Sequence, residues 1–99
     1  MDPMDVASEE AALFLKALSN PRRLRLLCAL VPNEKTVGEL EQSLGASQPY
    51  VSGQLKRLRE QGFVGYKKEG RVVRYYISDQ RVLSVLERLY EVFCPDLAE

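Results

Sequence analysis

The hydrophobic period of the chain changes at Gly62, and this change constrains the fold more than any other feature. Before Gly62, apolar residues recur at the spacing of amphipathic helices. After it, the segments FVGYKK and RVVRYYIS are rich in β-branched and aromatic residues and flank Glu69 and Gly70, which is typical of a β-hairpin. The sequence therefore predicts a helical domain that carries a two-stranded hairpin.

Two helices are predicted before residue 32. The first has Ser8 as its N-cap, which leaves residues 1–7 as a flexible N-terminus. The second starts after Asn20, with proline at its first position, and runs to about Leu30. Their apolar faces comprise Ala11, Phe14, Leu15 and Leu18 in the first helix and Leu24, Leu27, Cys28 and Val31 in the second. Cys28 is therefore expected on a buried stripe.

Two further short helices are joined by a turn that contains Gly45. Thr36 and Glu39 form a capping-box pattern at the start of TVGELEQSL, and Ser47 caps the next helix, which ends at the glycine of EQG. The inward seam of that second helix comprises Val51, Leu55 and Leu58. Two short helices joined by a turn of about three residues with a glycine are the sequence form of a helix-turn-helix.

A last helix is expected after the hairpin. Ser78 or Asp79 caps it, and it ends near Pro95, so residues 8–94 form the folded domain and residues 95–99 a C-terminal tail. Its apolar positions are Val82, Leu83, Val85, Leu86, Leu89, Tyr90 and Phe93. The order α-α-α-α-β-β-α, with a helix-turn-helix directly before a hairpin, predicts a mainly α winged helix with a β-hairpin wing.

Charge is segregated along a chain whose formal net charge is zero. Residues 48–74 carry seven Lys or Arg against two Glu, whereas residues 1–20 and 75–99 each carry a net charge of −3. A basic middle between acidic ends is typical of a localised face that binds a polyanion. No run approaches the roughly 18 apolar residues of a membrane span, and the acidic N-terminus does not resemble a signal peptide, so a cytoplasmic location is expected.

The basic middle contains the residues that we expect to contact double-stranded DNA. With the apolar seam of the fourth helix turned inward, its polar residues fall on the outer or flanking surface. Gln, Ser and Tyr near the start of a recognition helix bond base edges, while Lys and Arg suit phosphates. The predicted DNA-binding residues are Ser47, Gln48, Tyr50, Ser52, Gly53, Gln54, Lys56 and Arg57 in the helix and Lys68, Arg71 and Arg74 in the wing.

Gly53 lies in the middle of this predicted helix. A glycine there costs roughly 1 kcal/mol relative to alanine, and a close approach of DNA is one reason for it. The alternative for all of these positions is that they are merely solvated. The helix-turn-helix, the hairpin and the basic segment together favour DNA binding over that alternative.

Enzymatic activity and a cofactor are not predicted. The chain has no histidine, no phosphate-binding loop, and no Ser or Cys beside a candidate base. The competing class is a protein-interaction module, in which the basic wing would bind an acidic protein surface.

Three segments of the chain resemble the ArsR/SmtB family of dimeric winged-helix repressors. They are LKALSNPRRLRLLCAL, TVGELEQSLGASQPYVSGQLKRLREQGFV and KKEGRVVRYYIS, and the resemblance covers about residues 10–94. It implies a homodimer through the first and last helices that binds an imperfect palindrome and leaves it on sensing an inducer. The apolar faces of residues 11–18 and 82–93, on a small core, fit that dimer. Where many members have histidine in the recognition helix, this chain has Gly53 and Gln54.

Cys28 and Cys94 are the only cysteines of the chain. Arsenic sensors of the family carry a Cys-x-Cys pair in the third helix, and zinc, cobalt and nickel sensors use His and Asp on the last helix; this sequence has neither set. Its two thiols instead resemble the dithiol subset that responds to persulfide or polysulfide, which includes biofilm growth-associated and sulfide-responsive repressors and the haemolysin activator. The resemblance implies that a disulfide or short polysulfide bridge between the two cysteines, formed by reactive sulfur species, releases the operator.

The residues themselves leave alternatives open for both cysteines. Free cysteine is among the most buried residue types, so the first alternative is that both thiols are core residues. A two-thiol metal site would need further ligands from carboxylates or a second subunit. A general redox response, or a metal or metalloid response, is the alternative to reactive sulfur. Arg25, one turn before Cys28, is expected to favour its thiolate.

Overall fold

The computed structural model describes residues 2–94, which form helices and one antiparallel hairpin. The helices are α1 (Pro3–Leu18), α2 (Pro21–Leu30), α3 (Val37–Leu44), α4 (Gln48–Glu60) and α5 (Gln80–Phe93), and the strands are β1 (Val64–Glu69) and β2 (Val72–Ile77). This order confirms the predicted winged helix. None of the described helices is long and apolar enough to cross a membrane. The predicted tail, residues 95–99, lies outside the described residues.

Helix α1 begins earlier than the sequence pattern indicates. Its N-cap is Asp2, whose side chain accepts a hydrogen bond from the backbone N–H of Met4 at 2.8 Å, and Pro3 occupies the first position. Ser8, the predicted N-cap, lies inside the helix and donates to the Met4 carbonyl at 2.8 Å. The start at Ser8 is therefore wrong, because an aspartate cap followed by proline is a stronger start signal than a serine alone. Residues 3–7 belong to α1.

The caps predicted for the other helices are present. The side chains of Asn20, Ser47 and Asp79 each accept a hydrogen bond from a backbone N–H of the first turn that follows. At the start of α3, the Thr36 hydroxyl accepts from the Glu39 N–H at 3.1 Å, and the Glu39 carboxylate accepts from the Thr36 N–H at 2.8 Å, which is a complete capping box. These local hydrogen bonds fix the residue at which each helix of the helix-turn-helix begins.

The core lies where α2, α3, α4, β1 and α5 converge. Its fully buried large side chains are Leu26, Leu27, Leu40, Leu55, Leu58, Leu86, Val51, Val64 and Val82. The predicted seam of α4 is thereby confirmed. The prediction for α2 is only partly right, because α2 turns Leu26, Leu27 and Leu30 into the core and leaves Cys28 half-buried at the border. The reason is that α2 packs between α3 and β2, which the period of α2 alone does not reveal.

The hairpin of β1 and β2, called the wing below, is attached to the rest of the domain at its base. Val64 pairs with Ile77 at one end of the ladder, and Gly70, at a φ of 61°, occupies the first position of the turn. Lys35, in the connection before α3, exchanges two backbone hydrogen bonds with Tyr75 of β2, of 3.0 and 2.7 Å. This bridge ties the wing to the helix-turn-helix.

Candidate DNA-binding face and thiol cavity

The polar side of α4 is the outer side of the molecule. Its buried seam packs into the core, and the residues predicted to contact DNA are spread over the remaining surface of the helix. Exposed residues are Ser47, Gln48, Gly53, Lys56 and Arg57, and half-buried ones are Tyr50, Ser52 and Gln54. The structure therefore brings all eight predicted helix and cap residues onto one element, with base-reading types near its start.

Two of these residues contact arginines of α2. The guanidinium carbon of Arg22 lies 3.7 Å from the centroid of the Tyr50 ring. Arg23 donates from Nε to the Gln54 side-chain oxygen at 3.4 Å. Neither arginine is among the predicted site residues. The sequence shows only that both arginines lie off the apolar stripe of α2. That position does not identify the residues that they contact.

The three wing residues predicted to bind DNA fall into two groups. At the tip, Lys68 and Arg71 are exposed and have no acidic partner within 4 Å among residues 2–94. Nearer the base, the Arg74 guanidinium lies 3.8 Å from the carboxylate of Glu39. The hydrogen bond from the Thr36 N–H, helped by the charge of Arg74, holds the pKa of Glu39 below its usual range. Arg74 therefore faces an ionised partner on α3, whereas the tip cations face solvent.

Cys28 and Cys94 line one apolar cavity between α2 and α5. The cavity, called the thiol cavity below, has a volume of about 360 Å³. Its other lining residues are Leu24, Leu86, Leu89, Tyr90 and Phe93. Both cysteines are free thiols and half-buried, and Cys94 is the C-cap residue that follows α5. Two residues that are far apart in the chain are thus brought to one small apolar space.

Burial raises the pKa of the Cys28 thiol above its ordinary range. The charge of Arg25 acts in the opposite direction, as the sequence predicts, but it is the smaller effect, and the neighbouring Cys94 adds to the increase. Cys28 is therefore a weaker acid than an ordinary cysteine thiol. Among the described residues, no group of three or more His, Cys, Asp or Glu side chains is arranged to hold a metal ion.

Comparison with known proteins assigns the chain to a family. The sequence profile of the bacterial regulatory proteins of the arsR family matches residues 20–66, from the cap of α2 into β1. The biofilm growth-associated repressor of Xylella fastidiosa is 40% identical over 93 residues, which cover 94% of this chain and 82% of that protein. The chain belongs to the arsR family. Members of this family are DNA-binding transcriptional regulators, so this arsR-family protein is a regulator and not an enzyme.

Solved structures show the same fold as this arsR-family regulator. Reduced HlyU from Vibrio cholerae superposes with a TM-score of 0.85 at 39% identity, covering 95% of this chain and 99% of that one. The homodimeric winged helix-turn-helix DNA-binding domain from Mycobacterium bovis has a TM-score of 0.76 at 27% identity, covering 98% and 90%. The wing and the helix-turn-helix are therefore arranged as in known members of this fold.

Proposed function

We propose that this regulator is a repressor that leaves a palindromic operator when reactive sulfur species bridge Cys28 and Cys94. The observation that carries the proposal is the thiol cavity, in which two free cysteines from α2 and α5 share one apolar space. The name of the Xylella fastidiosa relative, a repressor, supports the direction of regulation. We place the protein in the cytoplasm, where reducing conditions keep both thiols free until a sulfur donor arrives.

The bridging reaction consumes one sulfane donor and proceeds in two steps, each of which begins with attack by a cysteine thiolate. A cysteine thiolate attacks the outer sulfur of a persulfide RSSH, which forms a cysteine persulfide and releases the thiolate RS⁻. The second cysteine thiolate then attacks the inner sulfur of that persulfide, which forms the disulfide and releases HS⁻. The two cysteines are oxidised by two electrons, and the donor is reduced to thiol and sulfide. Transfer of a further sulfane sulfur before closure gives a bridge with extra sulfur.

The bridge is expected to move α2 relative to α5. In the chain-entropy model, closing a loop between Cys28 and Cys94 contributes on the order of 4 kcal/mol. If the bridge fits one of two conformations better, this free energy is enough to change their population ratio about a thousandfold. Because α2 also packs against α3 and β2, its displacement reaches the helix-turn-helix and the wing. Loss of operator binding then follows from a changed spacing of the recognition helices in a dimer.

We propose a homodimer formed through α1 and α5. The Mycobacterium bovis structure is homodimeric, which supports this assembly. Large apolar side chains on these helices are exposed to solvent in the single chain: Leu13 is 71% exposed, and Phe93 is 75% exposed. Such exposed apolar residues on neighbouring helices are typical of a face that a partner subunit covers. Two copies of α4 would then read the half-sites of a palindrome about one helical turn apart.

On DNA, we assign base reading to the start of α4 and phosphate binding to the cations around it. The base-reading set comprises Ser47, Gln48, Tyr50, Ser52, Gly53 and Gln54. The phosphate-binding set comprises Lys56, Arg57, Lys68, Arg71 and Arg74. The exposure of the wing tip and of the outer surface of α4 supports this division.

Intact mass and operator affinity, measured together, test the proposal. The operator is first selected from a pool of random duplexes. Operator binding is then expected to weaken steeply with salt and to be tighter than binding to random DNA. The parent, Cys28→Ser and Cys94→Ser are then treated with inorganic polysulfide and, in parallel, with a disulfide oxidant. We expect polysulfide to bridge the two cysteines of the parent alone, as a disulfide or with at least one extra sulfur, and to lower operator affinity at least tenfold. Bridging and loss of affinity to the same extent under the disulfide oxidant would instead indicate a general redox switch, and unchanged affinity would refute thiol sensing.

A further inference from the structure

The beginning of α2 is bound to the recognition helix by its arginines. Arg23 donates from Nε to the side-chain oxygen of Gln54 in α4. Arg22 stacks its guanidinium on the ring of Tyr50, which lies one turn before Gln54 in the same helix. Tyr50 and Gln54 are four residues apart, so they lie on the same flank of α4. One edge of the predicted reading surface is therefore held by α2.

Arg23 is itself fixed from two other directions. Its Nη1 donates to the Ala17 carbonyl in the last turn of α1, and its backbone N–H donates to the cap side chain of Asn20 at 3.0 Å. Arg25 adds a third connection, with a hydrogen bond of 3.4 Å from Nη2 to the Ser43 carbonyl near the end of α3. The guanidinium of Arg23 is thus held at a defined position between α1 and α4.

The chemistry of this contact orients the Gln54 amide. A guanidinium has donors and no acceptor, so the amide must turn its oxygen toward Arg23 and its NH₂ group away from it. The side chain then offers two N–H donors to whatever lies beside α4. An acceptor-bearing base edge, such as guanine O6 and N7 or thymine O4, matches those donors.

We infer that Arg23 is a positioning residue for operator recognition, which sets the donor orientation of Gln54 so that it selects an acceptor-bearing base edge. Arg22 acts in the same way on the ring of Tyr50. The inference rests on the proposed DNA-binding face and is independent of the thiol response. It assigns sequence selectivity to residues of α2 that need not touch DNA themselves.

The test compares selectivity with overall affinity. Affinities are measured on the selected operator and on all of its single-base variants for the parent, Gln54→Ala, Arg23→Lys and both changes together. Arg88→Lys on α5, whose arginine pairs with Glu91, is the matched control. We expect Gln54→Ala and Arg23→Lys to lose about tenfold of discrimination at the same base position, with an unchanged salt slope, and the double variant to resemble Gln54→Ala.

A second variant keeps the test informative if Arg23→Lys unfolds. Gln54→Glu retains an acceptor for Arg23 but has no donor, so the preferred base at that position should change to one with a donor edge, cytosine or adenine. Equal loss on every duplex in Arg23→Lys, with no loss of discrimination at the Gln54 position, would mean that Arg23 contacts phosphate, and the inference would fail. Full selectivity in Gln54→Ala would also overturn it. If the parent itself does not prefer the operator over random DNA, the proposed function fails instead.

Discussion

The helix-turn-helix with its wing and the thiol cavity are held together by different kinds of contact. In the first region, helix starts are fixed by a capping box, the wing is bridged by backbone hydrogen bonds at Lys35, and α2 contacts α4 through Arg22 and Arg23. The thiol cavity is lined almost entirely by apolar side chains, and α5 ends there at the exposed Phe93. Directional contacts favour a preformed binding surface, whereas a loosely filled apolar space tolerates adjustment. This difference supports the proposal of a switch at the cavity and a preformed candidate DNA-binding face on α4.

Leucine truncation in the two regions should show this difference most strongly. Leu55 of α4 and Leu86 of α5 are equally buried, at 1% exposure each, but Leu86 borders the thiol cavity. Either change to alanine should lower the free energy of unfolding by about 2–5 kcal/mol, and Leu55→Ala should cost more because its surroundings are tightly packed. Urea unfolding at one fixed protein concentration measures both. Equal costs would show that the cavity region is as well packed as the recognition helix.

Gly53→Ala separates folding from DNA binding on α4. A Cβ added at Gly53 meets no atom within 4 Å, so the change should stabilise the free protein by about 1 kcal/mol through helix propensity. If DNA approaches this residue closely, operator affinity should fall roughly tenfold, which is about 1.4 kcal/mol. Thermal unfolding and binding isotherms measure the two effects, with Ser84→Ala on the exposed side of α5 as the control. Stabilisation without any loss of affinity would remove Gly53 from the binding face.

Within the wing, the tip and the base should differ in their contribution to DNA affinity. Arg71→Ala removes an exposed cation, so it should weaken binding to all duplexes similarly and reduce the salt slope by about one. Arg74→Ala should have a smaller effect, because the Glu39 carboxylate lies 3.8 Å from its guanidinium and competes with phosphate for it. Glu39→Gln should raise affinity severalfold by leaving Arg74 to phosphates. Fluorescence anisotropy over a salt series measures all three, and a change in base preference at Arg71 would contradict its assignment to phosphate.

The raised pKa of Cys28 predicts slower alkylation than that of an ordinary thiol at neutral pH, whereas an activated thiol, whose pKa is lowered, would react faster. In a Cys94→Ser background, the alkylation rate of Cys28 is measured as a function of pH. Because the thiolate is the reactive form, the midpoint of this curve should lie at a higher pH in the folded protein than in urea. Arg25→Gln should move that pH higher still. The folded state retains the Cys28 proton above the pH at which the unfolded chain loses it, so this group's contribution to stability is lost as pH rises through the folded pKa. Faster alkylation in the folded state at neutral pH would contradict the effect of burial.

Most of the fold was predictable because its signals are local. The caps at Asn20 and Ser47 and the capping box of α3 involve residues within three positions of each other, and the sequence predicts each of them. For α5 the sequence leaves Ser78 and Asp79 open, and Asp79 is the cap. The start of α1 differs from the prediction at Ser8, because Asp2 followed by a proline is an equally local and stronger start signal. The candidate site was predicted as a set of residue types on α4 and the wing, without their partners.

What the sequence alone determined is the order of the elements, the polar surface of α4 and the presence of two thiols without histidine, because each follows from residue type and short-range spacing. Only the tertiary structure decided that Arg23 holds Gln54, that Glu39 faces Arg74 and that the two thiols share a cavity. The nearness of the thiols had been implied by family resemblance and not by their spacing. These contacts join side chains that are distant in the chain, and no local periodicity encodes them, because they depend on how α2 and α3 pack against β2 and on how α2 and α5 face each other across the cavity.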